Sequence, residues 1–490
     1  MSTSTSTLPP SALMAAMAHG ESLLFKDIEC ALRTPADSLL VGKLTATTAR
    51  IWFVASNPSN IPLSMRHMPS TYYRAPIPSI RRVEKSVLRA RDGSVRVNVD
   101  IHFKDVRLWA IAMDADATAE KLTQHLRMAT FGLPVEYLPA MCSAPPAHAP
   151  PGSPPTILPG WDVYNPAAEL ERLGVLSARH PVTRQALWRV TEVNRLYGFC
   201  PTYPATLVLP AVFPDESLTP LSSFRSKARL PALTWVHPTH RATMWRSSQP
   251  RVGMANNTCR EDEALLSAIR DANVYSRFPA QPLLIADCRP RANAMGNKAS
   301  GWGYESYSFA QLEFLGIHNI HAVRDSFKRM EALVLNGMGG TSAAAAGAAA
   351  GGSSSTAGPS GASAPTSTFG SAGSVHWDTA LSDAGWLGHV RAILAGSLFV
   401  AECIHRRGQS VLVHCSDGWD RTAQICGLVQ VLLDPIARTL RGFCALIDKE
   451  WCTFGHKFHQ RAAHSLEKND EGDASPVFIQ FLDAVHQLIT

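Results

Sequence analysis

The chain has 490 residues, 46% of them hydrophobic, and its 46 Lys and Arg against 40 Asp and Glu leave a formal net charge of +6. This composition excludes a wholly disordered chain, and the length supports two or more cores. The mild basic excess suits an anionic ligand or a membrane surface, no nucleic-acid-binding signature accompanies it, and the ten cysteines show no C-x-x-C pair or zinc spacing, as in a reducing compartment.

Residues 1–20 are rich in Ser and Thr and lack Lys and Arg, so they read as a disordered N-terminus rather than a secretory signal. No run looks long and apolar enough to span a bilayer, so any membrane contact is expected to be peripheral. Residues 21–131 read as a small β-rich domain. Strand signals run from Ser38 to Thr47, Ala49 to Phe53, Ile80 to Leu88, Val95 to Phe103 and Asp105 to Met113, and Ala117 to Phe131 predicts one closing helix. Strands followed by a single helix suggest a pleckstrin-homology-type barrel, which either binds lipid headgroups or only packs against the rest of the chain. Residues 132–160 form a linker, dense in proline from Pro145 to Pro159.

From Trp161 the texture is mixed α/β. Helices are predicted over Asn165 to Leu173 and Glu261 to Ala272, and extended runs over Thr202 to Pro210, Leu230 to His237, Leu283 to Asp287 and His318 to Val323. Residues 336–374 are almost wholly Gly, Ala, Ser, Thr and Pro, and cannot bury enough apolar surface to offset the entropy of ordering, which predicts a disordered insertion. Structure is expected to resume near His376 and Trp377, with one long helix from Trp386 to Cys403.

That helix leads to the most informative stretch. Val411-Leu412-Val413-His414 is a buried-type strand, Cys415 to Arg421 a glycine-containing loop, and Ala423 to Leu433 an apolar helix. A strand, a tight loop and a helix N-terminus gather backbone N–H groups around one point, where the helix dipole favours an anion. Cys415 opens the loop and Arg421 closes it, the pattern His-Cys-x5-Arg-Thr. A thiol needs ionisation to become a nucleophile, and such a setting lowers its pKa from about 8.5 into roughly the 3.5–7.5 range. The chemistry that fits is phosphate binding by the loop amides, a bidentate grip by Arg421, and attack on phosphorus by Cys415. Thr422 is placed to hydrogen-bond the sulfur, and Gly418 to allow the turn. Downstream, if Phe454 to Arg461 is helical, Lys457 and Arg461 share one face and can hold a second phosphate; an ordinary solvated basic face is the alternative.

The residues His414 to Thr422, HCSDGWDRT, resemble the active-site signature of the myotubularin phosphoinositide 3-phosphatases. The blocks FRSK from Phe224, WVHP from Trp235, SQPRVGM from Ser248, Asn297-Lys298-Ala299 with Gly303-Tyr304-Glu305-Ser306, and Ile317 to His321 resemble that family in the same order. Lys449-Glu450-Trp451 and Ser475 to Phe478 extend the likeness, and Gly42 to Thr45 and Arg82 to Lys85 resemble the family's PH-GRAM domain. The resemblance implies a PH-GRAM domain followed by an α/β cysteine-phosphatase domain over residues 161–490, of the protein-tyrosine-phosphatase type. It implies hydrolysis of the D3 phosphate of phosphatidylinositol 3-phosphate and phosphatidylinositol 3,5-bisphosphate through a phosphocysteine, without metal or cofactor. By the same resemblance the backbone from Ser416 through Asp417, Gly418, Trp419 and Asp420 to Arg421 lines the phosphate, and Asn297, Asn319 and Ile320 contact substrate. Lys457 and Arg461 then read the D1 phosphate. The Trp-Pro-Asp tripeptide of many cysteine phosphatases is absent, so Asp420, or alternatively Asp417, is the expected general acid.

The resemblance further implies phosphoinositide lipids as partners, cytoplasmic placement on endosomal or similar membranes, and homo- or hetero-oligomers with other family members. The sequence departs from the pattern at Lys457, where Arg is usual, at Trp302 within a Gly-rich run, in the long insertion, and in ending at Thr490, which suggests a fragment or a shortened member. A protein-tyrosine or dual-specificity phosphatase and a catalytically impaired phosphoinositide-binding scaffold are the alternative functions.

Overall fold

The computed structural model describes residues 21–33, 39–57, 59, 61, 73–89, 95–105, 107–132, 163–275, 281–338, 377–462 and 472–490. The expected N-terminal tail, nearly all of the proline-rich linker and all but the first residues of the insertion lie outside these. The described residues form two compact units, falling within Met1–Cys142 plus Asp325–Trp386, and within Ser143–Arg324 plus Leu387–Thr490.

The first unit holds β1 (Leu23–Arg33), β2 (Leu39–Thr47), β3 (Arg50–Ala55), β4 (Arg74–Pro76), β5 (Ile80–Arg89), β6 (Val95–Phe103), β7 (Leu108–Met113) and α1 (Asp116–Arg127). The strands form one antiparallel sheet in the order β4-β3-β2-β1-β7-β6-β5. Alternating apolar residues such as Val97, Val99, Ile101 and Phe103 face inward. Ala119, Leu122 and Leu126 bury one stripe of α1 against them. The strands followed by one helix are the order expected of a pleckstrin-homology-type unit, which the family resemblance narrows to the PH-GRAM type. The sequence reading missed β1, because bulges around Phe25 and a left-handed Asp27 (φ 53°) break its alternation.

The second unit begins with α2 (Pro166–Arg172), capped by the Asn165 side chain on the Ala168 amide at 3.0 Å, then β8 (Trp188–Thr191) and β9 (Leu207–Pro210). There follow α3 (Leu218–Phe224), β10 (Ala232–Val236), β11 (Thr243–Ser247), α4 (Arg260–Asp271), β12 (Leu283–Asp287), α5 (Arg291–Ala299) and β13 (Ala310–Phe314). Next come α6 (Ile320–Met338), α7 (Trp377–Ala384), α8 (Trp386–Arg407), β14 (Val411–His414), α9 (Arg421–Leu433), α10 (Leu440–Ile447), α11 (Phe458–Arg461) and α12 (Val477–Ile489). α6 lies in the second unit through Arg324, and its later residues together with α7 lie in the first.

A five-stranded sheet, ordered β10-β11-β14-β12-β13, is the frame of the second unit. β10 and β11 are antiparallel, while β11, β14, β12 and β13 run parallel. Every residue of β14 is buried, as expected of a parallel strand covered on both faces. α9 is buried from Thr422 to Val431 inside the core, its two glutamines paired there, Gln424 donating to Gln480 at 2.9 Å and Gln430 to Glu450 at 2.8 Å.

Two expectations are corrected. His318 to Val323 is not a strand: the Asn319 carboxamide accepts the Ala322 amide at 3.1 Å and starts α6, so an alternating pattern belongs to a capped helix. The strand of that region is β13, whose half-polar sequence AQLEF carries little signal. Second, the 22-residue α8 is long and apolar enough to cross a membrane by length and composition. Its apolar side chains Val390, Ile393, Val400 and Ile404 are buried in the fold, and Gly396 packs on Leu315 and Ile425.

Candidate active site

The parallel strands end together: Ser247, His414 and Asp287 are in register across β11, β14 and β12, and Asp287 with Phe314 of β13. The Cys415–Arg421 loop therefore leaves the central strand at the carboxyl edge of the sheet, where open α/β sheets bind ligands. Gly418 makes its turn at φ +77°, and a Cβ there would meet the Ser247 carbonyl, so glycine is required by backbone and by space alike. The Gly418 amide reaches back to the Cys415 sulfur at 3.3 Å. Gly418→Ala is expected to cost about 1–2 kcal/mol in backbone strain. By displacing the loop it should also cut phosphate release roughly a hundredfold; thermal unfolding and turnover, measured side by side, check both.

Buried arginines hold this loop from behind. The Gly418 carbonyl accepts from Arg229 at 2.9 Å and from Arg246 at 2.8 Å. Arg246 is pinned by Glu450 at 2.6 Å, and Arg229 by the Thr202 and Phe454 carbonyls at 2.7 and 2.9 Å. Arg225 pairs with Asp262 at 2.7 Å and with Glu305, and Glu305 lies 3.0 Å from His414. Burial alone would push the Glu305 carboxyl up, but His414 and Arg225 hold it well below the usual range. The same contact raises His414 against the opposing effect of its burial. None of these arginines has a role in the sequence reading. The available signal was a charge next to the large apolar Met244 and Trp245 in TMWRS of β11, whose five residues are all buried.

Cys415 is 3% exposed. Burial would raise its thiol pKa, but Arg421 and the hydroxyl and amide of Thr422 outweigh that and hold it below a free thiol's. The Arg421 guanidinium bridges the loop to the Ile317 carbonyl and the Ser416 hydroxyl, both at 3.3 Å. These are long, weak bonds, which an incoming anion can replace.

The other predicted residues gather around this loop. Asn297 on α5 donates to Gln249 at 2.9 Å, and the Gln249 amide donates to the Ser416 carbonyl at 2.9 Å. Gln249, which the sequence reading did not single out, thus ties α5 to the loop. Asn319 caps α6, and the Ile320 carbonyl accepts from Ser475 at 2.8 Å, a short step from the Ile317 carbonyl that Arg421 touches. Trp302 fills its place by closing α5, its amide on the Asn297 carbonyl at 3.0 Å, and by lying under the Arg251 guanidinium at 5.0 Å.

Lys457 and Arg461 do not share a helix face. α11 starts only at Phe458, after a left-handed Gly455 (φ +71°), and Lys457 lies outside it at ψ 59°. The Lys457 ammonium sits 5.0 Å from the Trp419 ring centroid. Arg461 grips Asp420 with both forks, at 3.0 and 2.9 Å, and His456 lies 3.3 Å from the same carboxylate. Against the effect of burial, the hydrogen bonds from His456 and Arg461 hold Asp420 well below the usual carboxylate range. Asp417 instead accepts from the Ser226 hydroxyl at 2.7 Å.

One cluster among the described residues has metal-ligand potential: His237, His240 and His405, whose donor atoms lie within 4.8 Å of one another. Five of their six nitrogens are already engaged. Nδ1 of His237 and of His240 accept the Thr239 and Ala242 amides at 3.2 and 3.4 Å, and His237 Nε2 is 3.0 Å from His405 Nδ1. The cluster also flanks the start of β14, the end of the sheet away from the loop.

A Cys-x5-Arg loop between a central parallel strand and a buried helix, with a lowered thiol pKa, defines the cysteine-phosphatase class of site. Residues 148–490 match the model of the myotubularin-like phosphatase domain. The chain belongs to that family. It is 35% identical over 465 residues to phosphatidylinositol-3,5-bisphosphate 3-phosphatase MTMR2 of Mus musculus, covering 93% of this chain and 61% of that protein. It is 35% identical over 459 residues to MTMR2 of Gallus gallus, covering 93% and 69%, and over 421 residues to myotubularin of Rattus norvegicus, covering 84% and 60%. The chain thus spans about three-fifths of the length of mouse MTMR2.

Proposed function

We propose that the chain is a phosphoinositide 3-phosphatase, acting on phosphatidylinositol 3-phosphate and phosphatidylinositol 3,5-bisphosphate at a membrane surface such as the endosome's. Residues 21–131 form its PH-GRAM domain and residues 161–490 its phosphatase domain. The observation that carries the reading is the Cys-x5-Arg loop at the carboxyl edge of the sheet, with the Gly418 amide turned onto the Cys415 sulfur at 3.3 Å and the Arg421 guanidinium folded back on Ser416. In the first step the Cys415 thiolate attacks phosphorus, an S–P bond forms, and the bond to the inositol oxygen breaks. Asp420 supplies the proton to that oxygen, and the same carboxylate then takes a proton from the water that cleaves the phosphocysteine.

The pairing of Asp420 with Arg461 gives this acid a switch. Without substrate Asp420 is ionised. A lipid D1 phosphate at Lys457 and Arg461 shares the Arg461 fork, weakens its hold on Asp420 and lets that carboxyl pick up a proton. Lys457 is the cleaner probe of the second anion site, because it does not touch the Asp420 carboxylate. Lys457→Ala should weaken turnover of short-chain phosphatidylinositol 3-phosphate roughly tenfold, mostly in KM, and leave a small aryl phosphate unaffected. Equal losses on both substrates would remove the second anion site. The function as a whole is tested by phosphate release across a phosphoinositide panel with a phosphotyrosine peptide beside it; faster turnover of the peptide would favour a protein phosphatase.

A further inference from the structure

The rim of the site formed by α5 and the loop after β11 carries exposed methionines and cations that the chemistry does not use. Met254 is 73% exposed and Met295 53%. Their two segments are bound together: the Lys298 ammonium donates to the Asn256 carboxamide at 3.1 Å, and the Gly253 amide to the Trp302 carbonyl at 2.9 Å. Arg291, Met295 and Ala299, at i, i+4 and i+8 of α5, make one exposed face, and Lys298 borders it three residues from Met295. Trp302 joins the segments, its half-buried indole under the Arg251 guanidinium. Asn297, on the other side of the helix from Met295, connects this rim to the Cys415 loop through Gln249.

The charge of the rim has one sign. Residues 249–259 and 288–304 contain Arg251, Arg289, Arg291 and Lys298 and no Asp or Glu. Arg289 turns inward on Asp287 at 2.7 Å, which leaves Arg251, Arg291 and Lys298 to face outward. Acidic residues resume in the first turn of α4, at Glu261. A single exposed apolar side chain carries no message. Here two methionines and an indole share a rim with cations alone, next to a site that takes an anion. Flexible thioethers and an indole suit the boundary between headgroups and acyl chains, and the cations suit the phosphates above it.

We propose that this rim is a membrane-insertion surface. Met254 and Met295 enter the outer acyl region of an anionic bilayer, Trp302 settles at headgroup level, and Arg251, Arg291 and Lys298 lie against the lipid phosphates. The rim then holds the mouth of the Cys415 loop at the depth of the headgroup to be cleaved. The proposal rests on the phosphoinositide reading, because that reading is what brings a bilayer to the site. The two contributions separate by salt: attraction of the cations to an anionic surface is screened, and burial of the methionines is not.

The test uses the whole chain and phosphatidylcholine vesicles with and without phosphatidylserine, all free of phosphoinositide. Wild type should sediment with the phosphatidylserine vesicles, and hydrogen exchange should slow within residues 251–260 and 291–302 when they are added. Met254→Ser combined with Met295→Ser should bind these vesicles roughly thirtyfold more weakly. Arg251→Gln combined with Arg291→Gln should bind roughly tenfold more weakly, with a reduced dependence on salt. Both pairs should lose turnover of long-chain phosphatidylinositol 3-phosphate in such vesicles and keep turnover of the soluble short-chain lipid. Vesicle binding unchanged in the methionine pair, or equal losses on the soluble lipid, overturns the insertion surface. A rim that vesicles leave unprotected is a protein-docking face instead, and overturns it as well. Vesicle binding and protection of the rim without phosphate release from either lipid would overturn the phosphatase reading and leave the surface standing.

Discussion

Cys415→Ser is expected to abolish phosphate release from short-chain phosphatidylinositol 3-phosphate, by about ten-thousand-fold or more, the scale on which removal of a covalent nucleophile acts. The swap exchanges sulfur for oxygen on a buried side chain. The lowering of the Cys415 pKa by Arg421 and Thr422 works only on a group that ionises within reach of neutral pH, which a serine hydroxyl does not. The loop is held by groups that do not involve the sulfur: Arg229 and Arg246 on the Gly418 carbonyl, and Gln249 on the Ser416 carbonyl. The melting temperature and phosphoinositide binding of the variant should therefore match wild type. Turnover retained in Cys415→Ser would eliminate the phosphocysteine intermediate.

Arg421→Lys is expected to reduce turnover by roughly a hundred- to a thousandfold, as loss of a preorganised oxyanion contact does. Lysine keeps the charge but not the fork, so it cannot hold two phosphoryl oxygens in the plane that the transition state presents. Two independent readouts should move together. Turnover falls in Arg421→Lys and in Arg421→Ala alike, and in Arg421→Ala iodoacetamide labelling shows the Cys415 pKa rising, because the charge of Arg421 is the leading influence that lowers it against burial. The folded-state shift also sets a sign for stability. A depressed thiol pKa stabilises the fold above the pKa of a free thiol, and that contribution is lost as pH falls through the folded value. Wild type should therefore gain stability relative to Arg421→Ala as pH rises from the folded thiol pKa towards that of a free thiol, and the gain should level off above it, measured by denaturant unfolding. An unchanged labelling profile with lowered turnover would confine Arg421 to phosphate binding.

The local features of the site were legible in the chain. A four-residue apolar strand, a glycine turn and an apolar helix are short-range patterns, and Cys415, Gly418, Arg421 and Thr422 are close enough in sequence that backbone geometry alone brings them together. The antiparallel N-terminal sheet was legible for the same reason, apart from β1, where bulges break the period, and β4, whose three residues are too short to show one. The basic pair downstream was not. Placing Lys457 and Arg461 on one helix face assumed that Phe454 to Arg461 is helical, whereas the left-handed Gly455 delays the helix to Phe458.

What the sequence determined by itself is the chemistry available: a thiol, a guanidinium and a ring of amides, in the order that a strand-loop-helix turn converts into one site. What only the tertiary structure decided is the electrostatic setting of those groups. Arg461 is bound to Asp420, Arg229 and Arg246 hold the loop carbonyl, and Asp287 stands beside His414. These partners are 41, 189, 172 and 127 positions apart in the chain, taking the last from the register of Asp287 with His414. No periodicity or spacing rule reaches across such separations. They are set by which strands become neighbours in the sheet, and in a buried, low-dielectric site those neighbours determine which groups carry charge.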